Sequence, residues 1–182
     1  LYPKVVEELV PNLLPLGAVV KVLQNLLREK VPIRDMLTIL ETLADWAPVQ
    51  KNIDMLTEHV RQGLSRTITK MHQSPGGDLV TITLGRSVES LVADSIHHTE
   101  QGDYLALPPD MAHRIINALS RELEQFQKIQ TQPVILCSSD IRMHFKKFLD
   151  RFLPSVPVLS FNEILNNVQV RSLSTVEISS AD

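Results

Sequence analysis

The sequence predicts a mixed α and α/β chain: a helical subdomain over 1–73, then a small α/β subdomain over 79–178 with a mostly parallel or mixed sheet, and a short tail, 179–182. Three observations predict it. Apolar residues recur at spacings of three and four through residues 1–72. The stretch QSPGGD (73–78) is the strongest turn signal in the chain. Beyond it, short β-branched or unbroken apolar runs alternate with helical patterns.

The elements follow in order. Leu16 to Glu29 carries Leu16, Val19, Val20, Leu23, Leu26 and Leu27, read as one apolar face of a helix. Pro32 suits the first turn of a new helix over 33–47, where a missing N–H is harmless. Ile33, Met36, Leu37, Leu40, Leu43, Ala44 and Ala47 form its main stripe, and Pro48 ends it. A third helix is expected from Ile53 to about His72, with Asp54 helping to cap its start. LVTITL (79–84) alternates and reads as a strand. SVESLVADSIHHT (87–99) reads as a short amphipathic helix and YLALP (104–108) as a second strand. A long helix is expected from Asp110 to Ile129. PVILC (133–137) is an unbroken apolar run, the mark of a strand buried on both faces. A helix over Asp140 to Leu153, a strand at VPVLSF (156–161), a short helix and an edge strand at VQVRSL (168–173) complete the order. The last residues lose their hydrophobic alternation after Ile178, so a loosely held tail is expected.

Composition narrows the function. With 182 residues and 43% hydrophobic content the chain can bury a real core. A net charge of −3 gives no reason to expect a nucleic-acid partner. One cysteine, Cys137, rules out an internal disulfide and suits a reducing compartment. No run of about 18 apolar residues is present, so no membrane span is expected within these residues. No basic region precedes an apolar stretch, so no signal peptide is expected. The chain begins at Leu1 in mid-pattern, as a fragment of a longer protein would.

Chemistry-bearing patterns are weak. Gly76 and Gly77 precede a strand rather than joining a strand to a helix, so no phosphate loop is formed. His97 and His98 are adjacent, and on a helix they would point about 100° apart, too far to chelate one metal. His113 and His144 lack partners at ligand spacing. No metal or other cofactor is expected. Cys137 ends a buried strand just before a helix, where a thiolate would be favoured. A small α/β enzyme using Cys137 as nucleophile with His144 or His113 as base is therefore the alternative to a non-enzymatic role; the plainer reading makes Cys137 a core residue.

The stretch VPIRDMLTILETLADWA (31–47) raises a different question. On a helix over 33–47, Asp35, Ile39, Thr42 and Trp46 fall opposite the main stripe and Arg34 lies between the faces. An Arg–Asp dyad without a base or nucleophile is a poor catalyst and a good intermolecular ion pair. Either the helix is central in its bundle and buries both faces, or the second face meets a subunit or partner.

Three stretches carry a family resemblance. KVLQNLLREKVPIRDMLTILETLADWAP, DMLTEHVRQGLSRTI and VILCSSDIRMHFKKFLDRFLPSVPVLSFNEI resemble, in order, the export-gate protein family of type III secretion. QGDYLALPPD and VQVRSLSTVEI are closer to its flagellar branch than to the virulence branch. The resemblance implies a non-enzymatic export-gate module, made of the third and fourth cytoplasmic subdomains of its parent. It implies a parent anchored in the bacterial inner membrane by an N-terminal multi-span domain, with this part on the cytoplasmic side. It implies a cytoplasmic ring of nine copies that docks export substrates, chaperones and ATPase-complex proteins. The family's main chaperone-docking cleft would lie upstream, on no residue of this chain. Within such a ring, Arg34 and Asp35 are expected to pair across a subunit boundary, with Ile39, Thr42 and Trp46 on the same interface.

Overall fold

The computed structural model describes residues 2–128 and 132–179, and the chain divides into two compact units, Leu1–Met71 and His72–Asp182. The first is all helical: α1 (Pro3–Leu9), α2 (Leu16–Arg28), α3 (Met36–Trp46), α4 (Ile53–Gly63) and α5 (Ser65–His72, whose last residue falls in the second unit). Its core is built from Leu9, Val22, Leu26, Ile39, Leu43, Leu56, Val60 and Ile68, all essentially inaccessible.

Two helix boundaries differ from expectation, the start of α3 and the end of α4, and α4 takes a different N-cap. The α2 helix ends with Lys30 in the left-handed region at φ 61°. The Lys30 N–H donates to the Leu27 carbonyl and the Val31 N–H to the Leu26 carbonyl, a reciprocal C-terminal cap that buries Val31. Val31 is thereby committed to ending one helix, so Pro32 does not begin the next. That helix starts at Met36 instead, because Asp35 is the better N-cap: its carboxylate accepts the Thr38 N–H at 3.2 Å and the Thr38 hydroxyl at 2.7 Å. Asn52, rather than Asp54, caps α4 by accepting the Met55 N–H at 3.1 Å. The expected single helix from Ile53 to His72 is interrupted at Leu64, giving α4 and α5. Just before the break, α3 and α4 approach closely: a Cβ on Gly63 would lie 2.8 Å from the Thr42 hydroxyl oxygen.

The second unit contains β1 (Leu79–Leu84), α6 (Arg86–Asp94), β2 (Ile96–Thr99), β3 (Gly102–Leu105), α7 (Pro109–Phe126), β4 (Val134–Cys137), α8 (Ser139–Leu149), β5 (Val158–Ser160) and β6 (Val170–Val176). A single 3-10 turn, Phe161–Glu163, follows β5. The strands β5, β4, β1 and β6 form, in that order, a wholly parallel sheet. Ile82, Leu84, Ile135 and Cys137 face a core completed by Val88 and Val92 of α6, Ile115 and Leu119 of α7, and Ile141, Phe145 and Leu149 of α8. Every residue of β4 is buried, as a central parallel strand requires. The expected helix over 87–99 is corrected at its end: α6 stops at Asp94, and Ile96–Thr99 is a strand paired with Gly102–Leu105 in a separate hairpin. Gly102, at φ 122°, supplies the turn conformation that other residues avoid. His97 and His98 therefore sit on a hairpin, with His97 stacked on Tyr104 and His98 bonded to Asp103 at 2.9 Å. The expected end of the long helix at Ile129 and the tail residues 180–182 lie outside the described residues.

Buried charges brace this unit. Arg142 of α8 is wholly inaccessible; its Nη1 donates to the Val158 carbonyl at 3.0 Å and its Nε lies 3.8 Å from Glu163 Oε1. That same Glu163 oxygen accepts the Ser160 N–H at 2.8 Å. One turn later, Lys146 Nζ donates to the carbonyls of Pro154 at 3.2 Å and Val156 at 3.0 Å and pairs with Asp150 at 2.7 Å. Together these bonds hold the segment 154–163 against α8 and fix the position of β5.

Two predictions follow from these contacts. Glu163→Ala removes the carboxylate partner of a buried guanidinium and should cost about 3–5 kcal/mol in urea unfolding, whereas Asp150→Ala, at a half-exposed pair, should cost about 0–1 kcal/mol. The second concerns acid. The Asp78 carboxyl is held below its ordinary value of 3.8, chiefly by the Ser74 hydroxyl and then by Arg171. Glu177 is held below 4.5 by the Ser87 hydroxyl first, then by the Ser87 and Arg86 N–H groups. The folded state thus binds fewer protons than the unfolded one, so this stabilisation is complete above those values and is lost as pH falls below them. Unfolding midpoints measured down to about pH 3 should fall less steeply in Asp78→Asn and Glu177→Gln than in the parent.

Candidate functional site

The five residues expected at an interface are placed differently from one another. Arg34 is exposed, with no ion pair or hydrogen bond among the described residues. Asp35 is exposed but occupied, because its carboxylate caps its own helix. Ile39 is not on an outer face: it is completely buried, since α3 packs against both α1 and α4. The idea of a second apolar surface on α3 is therefore corrected at that residue. Thr42 is half-buried and donates its hydroxyl to the Thr38 carbonyl at 2.7 Å. Trp46 is 41% exposed and lies flat against His59, with ring centroids 3.6 Å apart and planes within 6°. The pKa of His59 is held below 6.5, mainly because this partial burial disfavours its charged form, while Glu58 opposes the shift.

A continuous outward apolar row of the first unit lies on α2. The six apolar residues assigned to one face divide into two. Val19 and Leu26, with Ala18 and Val22, point inward and are buried. Leu16, Val20 and Leu27 point outward and are 65%, 41% and 51% exposed, with Leu23 half-buried among them. At about 100° per residue, Leu16, Val20, Leu23 and Leu27 fall within a stripe about 60° wide, roughly 115° from the inward set. The signal was in the sequence, but the periods of the two stripes overlap and merge when counted together. Exposed Lys21, Gln24 and Arg28 flank the outer stripe on one side. A continuous outward row of aliphatic residues on a helix is a surface for covering rather than for chemistry.

Nothing else in the described residues assembles a reactive centre. Cys137 is completely buried within the sheet core, its Sγ 3.8 Å from the Leu159 carbonyl, so no substrate reaches the thiol. His144 is buried and His113 exposed on α7. No group of three or more His, Cys, Asp or Glu side chains among the described residues could hold a metal ion. An open cleft of about 520 Å³ beside the end of α7, lined in part by Leu123, Phe126, Leu153 and Val156, has Glu124 as its one titratable lining group among the described residues. No helix among the described residues is long and apolar enough to cross a membrane.

Known proteins match this arrangement along nearly its whole length. The FHIPEP family model matches residues 1–169. The flagellar biosynthesis protein FlhA of Bacillus subtilis is 42% identical over 177 residues, which are 97% of this chain and 26% of that protein. Among solved structures, the nonameric SctV-C of EPEC, determined by cryo-EM, is 37% identical with a TM-score of 0.85, covering 96% of this chain and 52% of that one. The Chlamydia pneumoniae CdsV protein, solved in complex with CdsO, is 27% identical with a TM-score of 0.86, covering 97% of this chain and 52% of that one. The chain thus spans about a quarter of the length of the curated relatives it matches and about half of these solved chains. By the extent of the family match and the identity to these relatives, the chain belongs to the FHIPEP family.

Proposed function

We propose that this chain is a non-enzymatic module of the export gate in flagellar or type III protein secretion, part of a ring of nine copies on the cytoplasmic face of the bacterial inner membrane. Its two compact units are the third and fourth cytoplasmic subdomains of the parent, and the membrane is reached only through the parent's N-terminal domain. The ring docks export substrates, their chaperones and ATPase-complex proteins. Family membership and the flagellar relative at 42% identity support the assignment to export. The nonameric relative supports the ring, and the relative solved in complex with CdsO supports docking of a second protein by the parent.

The observation that carries the reading is the outward stripe of Leu16, Val20, Leu23 and Leu27 on α2, aliphatic surface left bare in a chain whose relative is a nonamer. In this reading the stripe and the exposed Arg34 meet the neighbouring copy, with Trp46 near the same boundary. Asp35 supports the surface by starting α3, and its charge is shared with that task. An aliphatic seam provides the association energy, and a single guanidinium at its margin fixes register.

Sedimentation of the complete cytoplasmic region tests this. Val20→Asp and Leu27→Asp should each weaken assembly by about tenfold or more, because each loses about 1–3 kcal/mol of burial at every boundary. Their melting temperatures as monomers should change by less than about 2 °C, since neither side chain belongs to the monomer core. Arg34→Asp should weaken assembly with equally little effect on the monomer. Unchanged assembly in both α2 variants, or a sharp fall in monomer stability, would overturn the interface.

A further inference from the structure

We propose that β6 is a detachable strap on the second unit, clamped to the sheet at its two ends by the carboxylates of Asp78 and Glu177, and that its release uncovers the outer edge of β1. The strap stands at the edge of the sheet with β1 as its one strand partner. Of its seven residues one, Val176, is buried, while Val170, Arg171 and Ser172 are exposed. The strand therefore contributes little to the core that β1, β4 and the three helices share.

Its seam with β1 is irregular in the middle, where one side-chain bond, between the Thr83 and Ser172 hydroxyls at 3.0 Å, crosses the slip. The register slips between Thr81 and Ile82, pairing Thr81 with Ser172 and Ile82 with Ser174, so Leu173 bulges out of the ladder. On either side of that slip, the buried hydroxyl oxygens of Thr81 and Ser174 have no hydrogen-bond partner among the described residues. A displaced strand would let both be hydrated, so release removes a penalty as well as contacts.

The ends are held more firmly. At the first end, Arg171 Nε donates to Asp78 Oδ2 at 2.8 Å, and Asp78 is steadied by the Ser74 hydroxyl. At the other end, Glu177 places its carboxylate on the start of α6. There it accepts the Arg86 N–H at 3.1 Å, the Ser87 N–H at 2.9 Å and the Ser87 hydroxyl. The Ser87 oxygen in turn accepts the Ile178 N–H at 2.9 Å. Gly85 makes the seat possible, because a Cβ there would collide with the Glu177 carboxylate as it is placed. The carboxylate also faces the positive end of the α6 dipole. With both clamps open, the remaining sheet keeps β1 paired to β4 and its face covered by α6, α7 and α8, while a row of main-chain N–H and C=O groups on β1 becomes free.

Hydrogen exchange on the whole chain, read segment by segment, tests the strap. In Asp78→Asn with Glu177→Gln, protection of residues 170–178 and of the β1 amides facing them should fall by about tenfold or more, and each single variant should give part of that loss. Protection in β4 and α8 should stay at the parental level. Gly85→Ala, which crowds the seat without altering a charge, should reproduce the loss at residues 170–178; the near-isosteric Glu177→Gln carries the test if that variant fails to fold. An equal loss of protection in β4, β5 and α8 would mean that β6 is integral to the sheet. Undiminished protection of 170–178 in the double variant would mean that the carboxylates are not the clamps. Either result overturns the proposal.

Discussion

A charge enclosed by apolar side chains must find a partner, and that requirement sets the course of the chain in both units. In the first, Arg61 of α4 is 2% exposed and lies 3.5 Å from Glu29, the residue that closes α2. In the second, Arg142 is enclosed entirely and binds the Val158 carbonyl and Glu163. Apolar burial favours compactness of many kinds, whereas a buried guanidinium is satisfied by few backbone arrangements. Residues 154–157, which lead into β5, have no regular structure of their own, and the Lys146 ammonium on α8 that they must satisfy directs their path.

Once the cores are satisfied, what remains outside becomes informative. The α2 helix presents aliphatic residues on two sides, and only one side meets its own unit. Its outward row has no charge of its own and no neighbouring catalytic group, so its chemistry is that of a surface to be covered. Beside an Asp35 that already serves its own helix, Arg34 is an exposed cation with no ion pair or hydrogen bond among the described residues. The division of labour between these adjacent residues follows from geometry. A residue at the N-cap can turn its carboxylate back onto the helix, whereas the residue before it cannot.

Carboxylates perform a related task in the second unit. Asp78 and Glu177 lie near the two ends of one strand and hold it through hydroxyl, amide and guanidinium donors rather than through buried surface. An edge strand secured in this way is held locally, and its stability is separable from that of the sheet it borders.

Much of the architecture was legible in the sequence, for physical reasons. Period and punctuation are local properties, so the helical first part, the QSPGGD turn, the unbroken VILC strand and the α/β order could be read directly. Strands separated by helices pointed to a mostly parallel or mixed sheet, and the four-stranded sheet is wholly parallel. Where competing local signals met, only the folded chain decided. Pro32 favoured one helix start and Asp35 another, and Asp35 prevailed because Val31 was already engaged in capping α2. Tertiary contact alone determined which side of a helix is inside. Ile39 lies opposite the main stripe of α3 yet is buried, because α3 is packed on both sides. Leu16, Val20 and Leu27 look like core residues yet are exposed, because the first unit covers only one of the two stripes of α2. Hydrophobic spacing establishes that a face exists; the neighbours assembled from distant parts of the chain determine whether it is covered.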